Sequence, residues 1–268
     1  MELLRCKSLW HKGLGQGRRR DRCNPLYSKH LEILLHTLSE SATMASVKTT
    51  TIYPKSIKTP VGHKFKLLKP GSNNKKLGNI VTAKKWTGKR MFSLTLVERV
   101  TCPESCHHWD DCYGNNMPFA HRFNTVGLLH TLEDEVAALS KKYPEGIVIR
   151  LHVLGDFYSI SYVAFWERIL ELYPNVCIYG YTARWYEPIQ KAIAAMNRKW
   201  SNRCVIRYSR NRAYIPNDDI LRDSWKFAAE ESYVGPTFTC PEQLGTLPDC
   251  ASCGACWIAN KTVKFLSH

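Results

Sequence analysis

The sequence lacks any apolar run of the roughly 18 residues that a membrane-spanning helix needs, which excludes a helical membrane protein. It also lacks a secretory core. The short apolar helix-like stretch at 31–38 is too brief for one, and no small-residue cleavage site follows it. A cytoplasmic, reducing location and no membrane partner are therefore expected. Between residues 44 and 90 there is no Asp or Glu, against 12 Lys and Arg. The formal charge of +15 sits in the front third: residues 1–90 carry 20 basic and 4 acidic side chains, and residues 91–268 carry 18 and 19. An acid-free basic segment suits a polyanion, because each cation near a phosphate releases a counterion. Nucleic acid bound through 44–90 is one reading of it, and a solvated, partly disordered arm is the other.

Wholesale disorder is excluded by what is present: 8 Trp, 13 Tyr and 44% hydrophobic residues. Residues 1–43 stand apart, with Arg18, Arg19 and Arg20 among Gly13, Gly15 and Gly17. A second start at Met44 would make 1–43 a dispensable or disordered arm. The expected organisation is then this arm, a basic segment at 44–90, an α/β domain at 91–238 and a Cys-rich tail at 239–268.

The body alternates strand-like and helix-like segments. Residues 91–97, 147–154, 176–182 and 204–209 are rich in β-formers and bounded by Pro, Gly or Asn. The last three begin 29 and 28 residues apart, a spacing that fits successive βα units. The step of 55 residues from 92 to 147 corresponds to nearly two such units. Val163, Trp166, Leu170 and Tyr173 share one helical face, as do Ile189, Ile193, Met196 and Trp200. Thr131 with Asp134 resembles a capping box. The expected fold class is α/β: a partial (βα) barrel or an open parallel sheet with helices, plus a metal-binding C-terminal tail. In such folds ligands sit at the C-terminal ends of the strands.

The 11 Cys are an odd count in a chain too long to need disulfide staples. Cys6 and Cys23 lie in the front arm. Cys177 and Cys204 lie on strands and read as small buried hydrophobes. Seven remain, in two groups. Cys102, Cys106 and Cys112 have the spacing C-x3-C-x5-C; Cys240, Cys250, Cys253 and Cys256 have C-x9-C-x2-C-x2-C. Clustered cysteines in a reducing compartment more often bind metal than pair as disulfides. Four thiolates close a structural zinc site or hold an iron–sulfur cluster of the [4Fe–4S] kind. Three leave one iron of such a cluster open to a small ligand, or form a zinc site completed by His107, His108 or another residue.

The second strand ends at Gly155-Asp156, where Gly allows close approach and Asp accepts from an amine or hydroxyl. The bland reading of Asp156 is a helix N-cap. Thr182 and Arg184 end the third strand, and Ser209 and Arg210 the fourth, all on the same expected rim. Arg184 and Arg210 suit a carboxylate or phosphate, and equally an ordinary surface contact.

Five elements carry a resemblance: Asn74-Lys-Lys-Leu77-Gly78, the Thr101-Cys102-Pro103 to Cys112-Tyr113-Gly114 loop, Arg150-Leu-His152-Val-Leu-Gly155-Asp156-Phe157, Tyr181-Thr182 before Arg184-Trp185, and Cys240-Pro241 to Cys256-Trp257. From about residue 70 onward the sequence resembles the phage-associated gene product 88 family. That resemblance implies a phage or prophage origin and leaves substrate and catalytic residues unassigned. A more distant likeness is to radical S-adenosylmethionine (SAM) enzymes. It implies a cluster on Cys102, Cys106 and Cys112 and SAM held near Gly155-Asp156. The second gap in the loop is five rather than the usual two, the acid is Asp rather than Glu, and Leu154 replaces a Gly. The rival class is a non-catalytic zinc protein that binds nucleic acid.

Overall fold

The computed structural model describes residues 51–61, 65–106, 108–185, 187–209, 226–230 and 237–266, with backbone alone at 84, 187 and 226–230. The front arm at 1–43, with Cys6 and Cys23, lies outside them, as do His107 and Arg210. The strands are β1 (Ile57–Lys58), β2 (Lys69–Pro70), β3 (Arg90–Ser93), β4 (Arg122–Phe123), β5 (Ile147–Leu151), β6 (Val176–Thr182), β7 (Cys204–Ser209), β8 (Lys226–Glu230), β9 (Thr237–Thr239) and β10 (Thr262–Phe265). The main helices are α1 (Leu128–Lys142), α2 (Ile160–Leu172) and α3 (Glu187–Lys199); two single turns, α4 (Cys250–Cys253) and α5 (Ala255–Ile258), carry the tail cysteines.

Eight of these strands form one sheet in the order β2-β3-β5-β6-β7-β8-β10-β9. Every pair in it is parallel except β2 with β3. The protein is thus α/β with a parallel sheet. From β3 to β8 the order never reverses, so right-handed crossovers put all their helices on one face. The packing bears this out. Ile147, Ile149 and Leu151 of β5 point into the same cluster as Leu132 of α1, Trp166 of α2 and Ile193 of α3. The alternate residues, Val148, Cys177, Tyr179 and Val205, pack instead against Leu77, Val81, Trp86 and Trp257. Strand pleating separates these two sets, because the side-chain period is two.

Each face therefore has its own cover. The helical face is closed by the apolar stripes expected from their spacing, with Val163, Trp166, Leu170, Ile193 and Met196 almost fully buried. The other face is closed by chain from both ends of the molecule. Cys250 N–H donates to the Lys76 carbonyl at 2.8 Å and Ala251 N–H to Leu77 at 3.0 Å, while Trp86 stacks on Trp257 at 5.2 Å. Gly78 sits at φ +76°, and a Cβ there would lie 2.5 Å from the Asp249 carboxylate. The Asn74–Gly78 stretch is thus the seat of the Cys-rich tail.

Several expectations change. Residues 65–90 are not a solvated arm, since Leu67, Leu77, Val81 and Trp86 are core. The segment from 92 to 147 is one long crossover rather than two units, because β3 pairs directly with β5 and β4 pairs with β1 elsewhere. Thr131 does not cap α1. Gly127, in the left-handed region at φ +68°, precedes the helix, and Thr131 is buried inside it with its hydroxyl donating to the Pro60 carbonyl at 2.9 Å. Cys177 and Cys204 are buried strand residues as expected.

Candidate functional site

The three-Cys loop follows β3 at the C-terminal edge of the sheet. Leu96 N–H donates to the Leu154 carbonyl at 2.9 Å, so the chain runs alongside the end of β5 before turning out at Thr101. Cys102, Cys106 and Cys112 are half-buried free thiols. Burial is the main cause that raises all three pKa values. Cys112 acts electrostatically on both Cys102 and Cys106, and Asp156 on both as well, so the loop folds back on itself over the Gly-Asp turn. Backbone N–H groups of His108 and Gly114 reach the sulfurs of Cys106 and Cys112, two residues earlier in each case. Such donors favour thiolate over thiol.

Asp156, Thr182, Arg184 and Thr101 are joined by hydrogen bonds. Asp156 is buried, and its carboxylate accepts from Phe157 N–H at 2.6 Å and Ala183 N–H at 2.7 Å. Burial raises its pKa to about 6 against the pull of Thr182, these two N–H groups and Arg184. The Arg184 guanidinium donates to the Phe157 carbonyl at 2.7 Å and also to the Thr101 carbonyl. Thr182 Oγ1 accepts from Arg184 N–H at 3.0 Å, and Thr101 Oγ1 accepts from Asp156 N–H at 3.2 Å. Gly155 lies at φ +87°, with Leu96 Cβ and Thr101 Oγ1 each 2.6 Å from where a Cβ would be. So Gly155, Asp156, Thr182 and Arg184 join the ends of β5 and β6 to the base of the Cys loop. Ser209 ends β7, half-buried and paired in register with Ala228, two strands away from β5.

His152, just before this turn, was not marked by the sequence. Its Nε2 meets the Tyr162 hydroxyl at 2.8 Å, while its buried Nδ1 has no hydrogen-bond partner. Burial lowers its pKa to about 3. The unfolded chain takes up this proton near pH 6.5. Between those values the unfolded state holds more protons, so stability falls as pH falls. From pH 7 to pH 5 the natural protein is expected to lose about 2 kcal/mol more than His152→Gln in urea denaturation. Equal losses would mean that His152 is not held neutral.

The four tail cysteines surround one small cavity, lined also by Glu242, Trp257 and Val263. Cys240, Cys250 and Cys256 are buried and Cys253 half-buried. Asp249 caps α4, accepting from Ser252 N–H at 2.7 Å, and Ala255 N–H points at the Cys253 sulfur. The Tyr181 hydroxyl donates to Cys256 Sγ at 2.7 Å. Burial raises the Cys250 thiol to about 12. The tail group thus lies on the face away from the helices, and the loop group at the C-terminal edge of the sheet. Among the described residues, no three His, Cys, Asp or Glu side chains stand in a metal-holding arrangement. No helix among them is long and apolar enough to cross a membrane.

The gathered residues all lie within the span that a family model recognises. The model for "Gene product 88" matches residues 65–259, which covers both cysteine groups, the rim and the Asn74–Gly78 seat. The chain belongs to the Gene product 88 family. It is similar to the Gene 88 protein of Mycobacterium phage L5, at 25% identity over 190 residues, 58% of this chain and 76% of that protein. No solved structure matches. The phage kinship is thereby shown. Neither comparison bears on the distant likeness to radical SAM enzymes.

Proposed function

We propose that this Gene product 88 protein is a two-site metalloprotein. Cys102, Cys106 and Cys112 would hold a [4Fe–4S] cluster with one iron open, and Cys240, Cys250, Cys253 and Cys256 a second, closed metal site. One observation supports this above the others. The three thiols lie on one loop beside the buried Asp156 at the C-terminal edge of a parallel sheet, with backbone N–H groups of Arg99, His108 and Gly114 at the sulfurs of Cys102, Cys106 and Cys112. An open coordination position separates a reactive metal site from a structural one. When bound, such a cluster supplies one-electron reduction of a small ligand, SAM being the candidate that the loop-and-turn pattern favours.

The chain's own residues then have defined work. Arg184 and Thr101 fix the base of the Cys loop. Asp156 accepts from two backbone N–H groups and from the Thr182 side chain, which fixes its carboxylate between the ends of β5 and β6. Gly155 lets the backbone pass close to Leu96. Asp156 and Arg184 act first as positioning residues, and the substrate is left to experiment.

Anaerobic purification is expected to give a brown protein with about four to eight irons per chain. Replacing Cys102, Cys106 and Cys112 together by Ala should remove about four of them, with the reduced-cluster electron paramagnetic resonance signal. Incubation of the reduced natural protein with SAM should release 5′-deoxyadenosine. A colourless protein holding only zinc would sink the iron–sulfur reading. Iron without SAM cleavage would leave an electron-carrying or structural cluster.

A further inference from the structure

The short pairing of β1 with β4 builds a surface that the metal sites do not use. Lys58 of β1 stands opposite Phe123 of β4, and His121 directly precedes β4. The Lys58 ammonium lies 5.7 Å from the centre of the Phe65 ring, and the His121 ring meets the same phenyl edge-on at 5.6 Å. Burial, Lys69 and Lys58 together lower the His121 pKa, so both charges that bear on this imidazole are cations. Phe119 is two residues ahead of His121, so their Cα atoms are within about 7 Å of each other. Phe119 is 94% exposed.

Buried contacts hold this surface from beneath. The Arg122 guanidinium donates to the carbonyls of Gly114, Met117 and Ala120, which fixes the chain on both sides of Phe119. Glu135 accepts from Leu67 and Leu68 N–H, which fixes the segment between Phe65 and Lys69. Glu98 and Glu135, the acids in these contacts, are buried and committed to Arg122 and to backbone N–H groups. The sequence supplies no further acid along this stretch. Between Val61 and Phe65 stand Gly62, His63 and Lys64, and no Asp or Glu occurs from 44 to 90. Phe123 N–H donates to the Thr95 carbonyl at 3.0 Å and Val97 N–H to the Phe123 carbonyl at 3.1 Å, so β4 adjoins the chain that leads into the Cys loop.

A lone exposed Phe is ordinary on a protein surface. Phe119 differs in adjoining the cluster of Lys58, Phe65, Lys69 and His121. An accessible ring beside cations matches a nucleotide with its base unstacked: the base lies on the ring, and the phosphates fit the ammonium groups. A duplex keeps its base faces inside the stack and offers this surface only phosphates. We infer that the surface binds single-stranded nucleic acid, with a base stacked on Phe119 and adjacent phosphates on Lys58 and Lys69. The assignment uses no cysteine, so it stands apart from the metal reading of the loop and the tail.

The test follows the fluorescence anisotropy of a labelled oligothymidine of about 15 nucleotides, within the usual range of single-strand site sizes, titrated with the full chain as purified. Binding is expected to weaken as salt rises. Phe119→Ser changes a side chain that packs on little else. It should weaken binding about fivefold or more and leave the melting temperature unchanged. Lys58→Gln combined with Lys69→Gln should make the slope of log K against log salt shallower by about 1.4, from two phosphate contacts at about 0.7 each. A duplex of the same length should bind more weakly and be indifferent to Phe119→Ser. Natural affinity in both variants would place binding elsewhere on the chain and overturn the inference. The absence of binding, or a duplex bound as tightly as the single strand, would overturn it too. Phosphatidylserine vesicles bound through Phe119 while the oligonucleotide is ignored would assign the surface to a membrane instead.

Discussion

Arg122→Ala is expected to cost about 3–5 kcal/mol of folding stability, the usual penalty for stripping one partner from a buried ion pair. Arg122 and Glu98 are both fully buried, and Arg122 Nε donates to the two Glu98 oxygens at 2.9 and 2.8 Å. Every remaining arm of the guanidinium is engaged. It donates to Ser56 Oγ at 3.0 Å and to the carbonyls of Gly114, Met117 and Ala120 at 2.8, 3.1 and 3.0 Å. Thr51 Oγ1 donates to Glu98 Oε1 at 2.7 Å from the other side. Truncation leaves a buried carboxylate and several carbonyls without their donor. Arg122→Lys should recover little, because one ammonium cannot reproduce a planar fork of five donors. Replacing both partners at once, as Glu98→Leu with Arg122→Met, should cost less than Arg122→Ala alone, since no charge is then stranded. Guanidinium denaturation of the three variants checks this order. A loss below about 1 kcal/mol for Arg122→Ala would show that the pair is not enclosed in solution.

That ion pair also shows where sequence reading stops. Glu98 and Arg122 are 24 residues apart and carry no periodic signal, yet together they fasten the turn at Tyr113–Asn116 that directly follows Cys112. Glu135 is a similar case. It lies in the middle of α1, where it is buried and accepts from Leu67 N–H at 2.8 Å and Leu68 N–H at 3.0 Å. Thr131 looks like a cap because its hydroxyl is three residues ahead of an acid, and tertiary contact with Pro60 decides otherwise. Local patterns cannot register a partner from the far side of the chain.

What was legible had a local cause. β6 and β7 match their expected bounds to the residue, because runs of β-formers are cut off sharply by Pro174 and Asn175 before one and by the turn at 201–203 before the other. The cysteine groups were visible as spacing. Their placement was not. The sequence put Cys102, Cys106, Cys112, Asp156 and Thr182 at one rim through the rule that parallel sheets collect function at strand C-termini. Nothing in it indicated that the tail would fold over the opposite face. That placement depends on β10, a four-residue strand that inserts between β8 and β9. A parallel strand paired across that separation leaves no mark on its neighbours in sequence.

The two faces lead to the second large effect: the two cysteine groups should behave oppositely when mutated. Ala at Cys250 and Cys256 is expected to unfold the C-terminal cover, and Ala at Cys102, Cys106 and Cys112 to leave the protein folded. The tail residues are core. Trp257 is fully buried, stacked on Trp86 and edge-on to Tyr179 at 4.9 Å, and it is carried on the same single turn as Cys256. Two turns of four residues each have no helical stability of their own. A metal on the four sulfurs would contribute its binding energy to folding, about 4 kcal/mol for a free metal concentration a thousandfold above Kd. Removing two ligands forfeits that term and opens space beside Trp257. The loop thiols, by contrast, are half-exposed at the sheet edge, and the Asp156–Arg184–Thr101 brace beneath them does not use their sulfurs. The tail variant should therefore show red-shifted Trp emission, lost near-ultraviolet circular dichroism and a melting temperature at least about 10 °C lower. The loop variant should melt within about 3 °C of the natural protein when both are compared without metal. Equal destabilisation by the two variants would mean that the loop site, too, is part of what holds the fold together.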